Sequence, residues 1–342
     1  MHMADALLSP AVSVAMNAVS VAAIGVAAAK VKKDEFGEKM IPIMGVAGAL
    51  VFAGQMINFT IPATGSSGHI GGGILLAGLL GGIPAFLSIA AVLIIQCLFF
   101  ADGGLLALGC NIFNMGVIPC LFVYPLVFRP LLKNATDYNR ISIASIVSVV
   151  IGLELGAFCV VLQTLLSGVT ELPFGSFAAL MLPIHFFIGL AEGIVTASVL
   201  CFIYKMRPEI IDSAQSGERL HGVSTKKVLI ALVALIIVVG GALSLFVSVN
   251  PDGLEWAIAK TTKKVFGEER EIEANGGIFE GAAGVQERMA FLPDYAFASD
   301  PENAAGTSVS GIVGAGITFF FAGATGLMIS TLKKRKKAVA NV

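Results

Sequence analysis

Long apolar runs alternate with short polar segments along most of the chain, and this pattern predicts a membrane protein with many crossings. A helix that spans the hydrocarbon core of a bilayer needs about 20 mostly apolar residues. Runs of that kind occupy residues 7–29, 40–60, 83–101, 105–128, 142–167, 179–204, 228–249 and 309–332. A shorter apolar piece lies at residues 70–80, beside the glycine-rich sequence GHIGGG. We therefore expect an all-α, polytopic membrane helical bundle.

Lysine and arginine indicate how the bundle is oriented. They concentrate in four segments, at residues 30–39, 129–140, 205–227 and 333–337. Short loops rich in these residues stay in the cytoplasm. We expect the four segments to be inside, so that the N-terminus is extracytoplasmic and the C-terminus is cytoplasmic in a cell (inner) membrane.

The same rule makes the short piece at 70–80 cross the membrane. An even number of crossings must separate the basic segments 30–39 and 129–140, yet only three clear spans lie between them. A helix of about 15 residues reaches only ~22 Å, less than the ~30 Å hydrocarbon core. Irregular backbone at that depth is tolerated only where protein or a cavity surrounds it. We predict a half-span that follows a buried loop at about 61–69, with His69 on that loop.

The predicted spans divide the chain into two units. Residues 1–204 form a seven-crossing core, and residues 205–227 form a cytoplasmic linker. Residues 228–342 form a second module with two further transmembrane helices and an extracytoplasmic loop at 250–308. That loop holds eleven acidic and five basic residues and the chain's only tryptophan, Trp256. It is long enough to cap the core.

Composition narrows the classes of function. Only 13% of the residues are charged, against about 25% in soluble domains, and the net charge of −1 offers no electrostatic case for nucleic acid. The five cysteines form no CxxC pair, which indicates neither a disulfide framework nor a zinc knuckle. The chain has no Walker A sequence, so we do not expect it to hydrolyse ATP.

The first two residues, Met1 and His2, together offer three nitrogen donors. The start has no basic region ahead of the first apolar run, so it does not resemble a cleaved signal peptide, and we expect Met1 to be retained. The amine of Met1 and the backbone nitrogen of His2 would close a five-membered ring on a metal, and that nitrogen and Nδ1 of His2 would close a six-membered ring. Tetragonal nitrogen coordination is typical of Ni(II) and Cu(II). His69, expected on the same side of the membrane, is the natural fourth donor.

Four blocks of sequence resemble the CbiM/NikM family. They read MHMADALLSP at the start, FAGQMINFTIPATGSSGHIGGG at 52–73, ADGGLLALGCNIFNMG at 101–116 and HFFIGLAEGIVTA at 185–197. The second module contains PDGLEWA at 251–257 and resembles the PDGLE domain, which is similar to CbiN/NikN and is here fused to the core.

The resemblance implies a function and a set of partners. Members of this family are the substrate-capture components of energy-coupling factor (ECF) type ABC importers for cobalt and nickel. The resemblance implies metal ligands at Met1, His2 and His69. It also implies two kinds of partner, a transmembrane coupling protein of the CbiQ/NikQ type and ATPase subunits of the CbiO/NikO type. The metal is then the transported substrate, feeding cobalamin biosynthesis or nickel enzymes, and no cofactor is expected.

Several polar residues in the apolar spans allow two interpretations each. In the first interpretation, they accept or donate hydrogen bonds that orient the metal-binding histidines. In the second, they form hydrogen bonds that join helices within the bundle. The residues are Gln55, Asn58, Asn111, Asn114, His185 and Glu192. For the last two, which share a helix face, a metal relay is a further interpretation.

Three other functions fit parts of this pattern. A proton-coupled secondary metal transporter would use intramembrane carboxylates such as Glu154 and Glu192. A membrane enzyme would need a water-activating metal centre, and the chain has no HExxH or similar motif. A metal sensor would bind the ion without transporting it.

Overall fold

The computed structural model describes residues 2–30, 40–133, 137–217, 225–270, 272, 276–300 and 303–340. The helices of the core are α1 (Pro10–Lys30), α2 (Met40–Gln55), α3 (Gly73–Leu80), α4 (Gly82–Phe100), α5 (Leu108–Ile112), α6 (Arg129–Leu132), α7 (Tyr138–Ser167), α8 (Phe174–Met206) and α9 (Pro208–Ser216). The remaining helices are α10 (Lys226–Ile236), α11 (Gly253–Phe266), α12 (Gly277–Met289) and α13 (Ala304–Ala340). Strands β1 (Phe59–Ile61) and β2 (Ser66–Gly68) pair antiparallel.

Within these described residues, seven helical segments are long and apolar enough to cross a membrane. They are Pro10–Lys30, Gly82–Phe100, Leu108–Leu132, Tyr138–Ser167, Phe174–Met206, Lys226–Phe246 and Ala305–Met328. The helix Met40–Gln55 is apolar but shorter. These helices confirm the predicted all-α polytopic membrane protein, in which the one described sheet is a two-stranded hairpin.

The apolar piece at 70–80 forms a short buried helix, as predicted. All eight residues of α3 are buried, and at 1.5 Å per residue the helix reaches only about 12 Å. Gly72 precedes it with φ +76°, where a Cβ atom would lie 2.4 Å from Cγ1 of Val51. Gly81 joins α3 to α4 with φ +81°. Glycine is required at these two turns because other residues rarely adopt positive φ.

Small residues let the long helices pack closely. A Cβ atom on Gly193 of α8 would lie 2.8 Å from the Cα atom of Ile146 in α7. A Cβ atom on Gly45 of α2 would lie 2.9 Å from the carbonyl oxygen of Phe319 in α13. Close backbone approach through glycine is typical of helix pairs in membranes. The last helix of the chain therefore packs directly on the core.

The helix that runs from α5 to α6 is wound unusually widely. Residues Phe113–Phe128 between these two helices are π-helical and include Pro119 and Pro125. Proline cannot donate a backbone hydrogen bond and interrupts regular α-helical winding. Such stretches of π-helix occur frequently at functional sites.

Two predicted loops contain helices. The segment predicted as a linker, 205–227, contains α9, whose Ala214 carbonyl accepts a hydrogen bond of 2.9 Å from Tyr124 Oη. The segment predicted as an extracytoplasmic loop, 250–308, contains α11 and α12. A capping box formed by Asp252 and Glu255 begins α11. These short helices have strongly one-sided apolar faces, which a search for long apolar runs does not detect.

Candidate metal site

Two histidine side chains from distant parts of the core sequence meet at the end of the bundle where residues 2–9 lie. The imidazole rings of His2 and His69 stack with their centroids 5.1 Å apart and an angle of 18° between their planes. The side chain of His2 is 6% exposed and His69 is 8% exposed. The structure thus brings together the two histidines that the sequence singled out as ligands.

Burial keeps both imidazoles neutral. Desolvation lowers the pKa of His2 from 6.5 to about 3 and the pKa of His69 from 6.5 to about 3. A neutral imidazole has a lone pair for a transition metal, whereas an imidazolium does not. Nδ1 of His69 lies 3.0 Å from the carbonyl oxygen of Ile70 and donates to it in the matching tautomer, in which Nε2 carries the lone pair.

Buried polar atoms of His2 and of Gln96 lack hydrogen-bond partners among the described residues. These atoms are Nε2 of His2 and both side-chain polar atoms of Gln96. Buried polar groups are normally paired, so an unpaired cluster indicates a site for water or a ligand.

A carboxylate that the sequence analysis missed holds the other ring nitrogen of His2. Oδ1 of Asp102 lies 3.1 Å from Nδ1 of His2. Oδ2 of Asp102 accepts a hydrogen bond of 2.5 Å from the hydroxyl of Tyr295, a residue of the second module. The only sequence signal for Asp102 is its place within the 101–116 block, directly after a span.

The backbone after His2 is fastened to α5 and to the residue directly before it. Oδ1 of Asn111 accepts a hydrogen bond of 2.7 Å from the Met3 amide, and its Nδ2 atom donates to the Met3 carbonyl at 3.3 Å. The carboxylate of Asp5 accepts from the amide of Ala107 at 2.8 Å. Asn111 therefore holds the backbone of Met3, the residue directly after His2.

The loop that carries His69 is fastened by two side chains of the spans. Glu192 accepts from the amide of Gly71 at 2.7 Å through Oε2 and from the amide of Gly72 at 2.8 Å through Oε1. Gln55 donates from Nε2 to the carbonyl of Gly71 at 2.8 Å. Both residues thus hold the backbone two positions beyond His69.

The second module lies along the outer side of the same loop. The carbonyl of Pro251 accepts from the amide of Ser67 at 2.8 Å, and the carbonyl of Asn250 accepts from the Ser67 hydroxyl at 2.8 Å. Nε1 of Trp256 donates to the carbonyl of Thr64 at 3.0 Å. The PDGLE sequence therefore contacts the hairpin directly.

The other polar residues singled out in the sequence lie in different surroundings. Asn58 contributes its carbonyl, which accepts from the amide of Ser248 at 2.8 Å. Asn114 forms a reciprocal pair with Gln163 of α7, at 2.8 and 3.0 Å, and its Nδ2 atom also lies 3.8 Å from the sulfur of Met3. Nδ1 of His185 lies 2.8 Å from the carbonyl of Met181.

Side chains alone do not complete a metal centre here. The described residues contain no group of three or more His, Cys, Asp or Glu side chains that could hold a metal ion. Met1, the first predicted ligand, lies outside the described residues. Two neutral imidazoles next to an N-terminal backbone segment fit a donor set of nitrogen atoms, and such a set suits late transition metals.

Two buried imidazoles lie at one end of this membrane bundle, and the second module covers the loop that carries one of them. These features define the class of polytopic metal-handling membrane proteins. The family model for the cobalt uptake substrate-specific transmembrane region, CbiM, matches residues 2–210, and the model for the PDGLE domain matches residues 226–331. The chain belongs to the CbiM family and carries a fused PDGLE domain.

Relatives and solved structures agree with this assignment. The chain is 33% identical to a putative fused nickel transport protein NikMN of Archaeoglobus fulgidus, over 92% of this chain and 94% of that protein. It is 27% identical to the cobalt transport protein CbiM of Sorangium cellulosum, over 63% of this chain and 96% of that protein. Two crystal structures described as transition metal transporters, 30% and 32% identical, each cover 61% of this chain with a TM-score of 0.51. These relatives are transport proteins rather than enzymes.

Proposed function

We propose that the chain captures Ni²⁺ or Co²⁺ at the cell exterior and is the substrate-binding component of an ECF-type importer. The observation that carries this proposal is the buried, stacked pair of neutral imidazoles at His2 and His69. The amine of Met1 and the backbone nitrogen of His2 supply the remaining donors. The names of the relatives, which are nickel and cobalt transport proteins, support this choice of substrate.

Loading exchanges one partner of His2 for the ion. Chelation through the His2 backbone nitrogen uses Nδ1 of the same residue, and in this structure Nδ1 faces Asp102 at 3.1 Å. The imidazole therefore leaves Asp102 when the ion binds, while Asn111 and Asp5 keep the following backbone in place. The ion loses its water shell to nitrogen atoms in a site from which bulk water is largely excluded.

The proposed orientation follows from charge. Basic residues flank the end of the bundle opposite the histidine pair, where Arg129, Lys133 and Asp212 line a cavity of about 450 Å³. A cytoplasmic position for this end agrees with the rule for basic loops. Partners of the CbiQ/NikQ and CbiO/NikO types supply coupling and ATP hydrolysis, and the captured metal feeds cobalamin biosynthesis or nickel enzymes.

The decisive experiment adds one alanine ahead of Met1 in the full-length protein. The insertion moves the amine out of the chelate and leaves every side chain in place, so equilibrium binding of ⁶³Ni²⁺ or ⁵⁷Co²⁺ should fall to background. One alanine added at the C-terminus is the matched control. Unchanged affinity in the N-terminal variant would overturn the proposed donor set.

Uptake measurements separate the importer from a secondary transporter. Uptake by the importer should need the ATPase subunits and should continue when the proton gradient is dissipated in cells that retain ATP. Uptake by a proton-coupled transporter should not need the ATPase subunits and should stop when the proton gradient is dissipated.

A further inference from the structure

Within this proposed function, one buried histidine is not used by the capture site. His185 of α8 is 1% exposed. Its Nδ1 atom lies 2.8 Å from the carbonyl of Met181, one turn earlier in the same helix. Because a carbonyl only accepts, Nδ1 carries the proton and Nε2 keeps its lone pair. The ring is thus held in the tautomer that a metal ligand needs.

The Nε2 atom of His185 has no hydrogen-bond partner within the described residues. A buried polar atom without a partner is uncommon and calls for a specific cause. In a membrane helix the cost is higher, because neither lipid nor bulk water can satisfy the atom. Binding of a ligand by the lone pair of Nε2 would account for a buried nitrogen without a hydrogen-bond partner.

His185 shares a small cavity with His69. The cavity measures about 10 Å³ and is lined by both histidines, by Met115 and Leu153, and by Gly253 of the second module. A volume of that size is about the lower limit for one water molecule. It is therefore large enough for a single small ion that has lost its hydration shell.

The second module covers this cavity closely. A Cβ atom on Gly253 would lie 3.1 Å from Cε1 and 3.4 Å from Nε2 of His185, and 2.8 Å from Cδ1 of Ile188. Only a residue without a side chain fits there without displacing neighbours. The PDGLE glycine thus lies against the edge of the imidazole that carries the unpaired nitrogen.

A second cavity lies next to the first and shares part of its wall. It measures about 20 Å³, shares Gly71, Met115 and Leu153 with the first cavity, and extends to Glu192 and Asn114. The π-helical stretch contributes Met115 and Pro119 to its wall. His185 and Glu192 lie seven residues apart on α8, about 10 Å along the helix axis.

We propose that His185 is an inner metal ligand, which receives Ni²⁺ or Co²⁺ from His69 through Nε2 when the ion leaves the capture site. The ion first occupies the nitrogen donors around His2 and His69. It then moves into the 10 Å³ cavity, where His69 and His185 hold it together, before it passes the second cavity. Imidazole nitrogen is a suitable ligand for both metals. Transfer through a shared ligand avoids a step in which the bare ion has no donor.

The test separates capture from transfer by a pair of replacements at residue 185. Asparagine keeps an N–H close to the position of Nδ1, able to donate to the Met181 carbonyl, but has no nitrogen lone pair. Cysteine supplies a different metal ligand. Equilibrium ⁶³Ni²⁺ binding to the purified full-length protein should change little in His185→Asn, whereas ATP-dependent uptake in cells with the partner subunits should fall about tenfold or more. His185→Cys should restore part of the uptake. The control substitution is His221→Asn, at the histidine of the predicted cytoplasmic linker 205–227.

A second measurement detects the inner ligand directly. In His2→Ala the capture chelate is broken, and weak residual Co²⁺ binding should remain, visible in the absorption bands of the bound ion. Adding His185→Asn to this background should remove those bands. This measurement does not depend on transport or on the partner subunits.

Each outcome decides a different point. Unchanged uptake in His185→Asn, or residual Co²⁺ bands that persist in the double variant, overturns the inner ligand and leaves the proposed function intact. An equal loss of binding and uptake in His185→Asn also overturns it, because His185 would then support the capture site. If the wild-type chain binds neither metal, the proposed function itself fails. Should His185→Asn not fold, His185→Gln provides the same comparison.

Discussion

The two halves of the candidate metal site, around His2 and around His69, are held in different ways. The N-terminal segment that carries His2 is fastened to the core through Asn111 and through the Asp5 contact with Ala107. Residues 102–104 of the core link it to the second module, because Asp102 accepts from Tyr295 and Gly103 accepts from Gln286. The loop that carries His69 is held between the spans of the core and residues 250–256 of the module. The comparison teaches that the module contacts the His69 loop directly and is linked to the His2 segment through core residues 102–104.

The largest expected effect comes from removing one imidazole. His69→Ala should weaken Ni²⁺ binding by more than about 100-fold. Loss of a residue that only hydrogen-bonds to a metal ligand typically costs about 10- to 100-fold in affinity, and loss of a ligand itself should cost more. Isothermal titration of the detergent-solubilised protein measures this loss. His221→Ala is the control, and an unchanged affinity in His69→Ala would remove the loop from the site.

Glu192→Gln tests the core side of the loop. One carboxylate accepts from two backbone amides, and an amide side chain of equal size cannot replace both bonds. Metal affinity should fall about 10- to 100-fold. Glu154→Gln is the matched control in α7 and should bind normally. If both variants bind normally but lose uptake together, a proton-coupled mechanism is favoured instead.

Asn111→Ala tests the N-terminal half. It removes both hydrogen bonds to the Met3 backbone and should weaken metal binding about tenfold. Asn114→Ala breaks the pair with Gln163, and we expect it to lower thermal stability with little effect on affinity. Equal effects of the two variants on affinity would show that Asn111 acts only through the fold.

Trp256→Phe gives the smallest expected effect and tests the module side. It keeps most of the apolar area but removes the single bond to Thr64, which contributes about 0.5–1.5 kcal/mol. Affinity should fall no more than about tenfold. A larger loss would mean that the module controls the loop more strongly than this one contact implies.

Much of this arrangement was predictable from the sequence. Apolar run length and basic loops predict the membrane bundle, and the count of crossings predicts the short helix after His69. The nitrogen donors of Met1 and His2 led to the prediction of a metal ligand at His2, and the structure places the His2 ring against that of His69; metal ligation there stays a prediction. Each of these sequence patterns lies within a short stretch of the chain, so it can be recognised without knowing how the helices pack.

The contacts that the sequence did not predict join residues far apart in the chain. Asp102 and Tyr295 are 193 positions apart, and Ser67 meets Asn250 across 183 positions. Neither pair produces a spacing or periodicity that could reveal it. The exact partners of Glu192 also depend on how deeply the loop enters the bundle, which only the packed structure defines.

The contact of Trp256 with the Thr64 carbonyl has a practical consequence. The chain contains a single tryptophan, and its indole touches the hairpin that carries His69. The fluorescence of Trp256, excited at a wavelength that only indole absorbs, therefore reports on this one position without an added label. Emission recorded during a metal titration would follow the loop alone, in a detergent micelle or in a lipid vesicle.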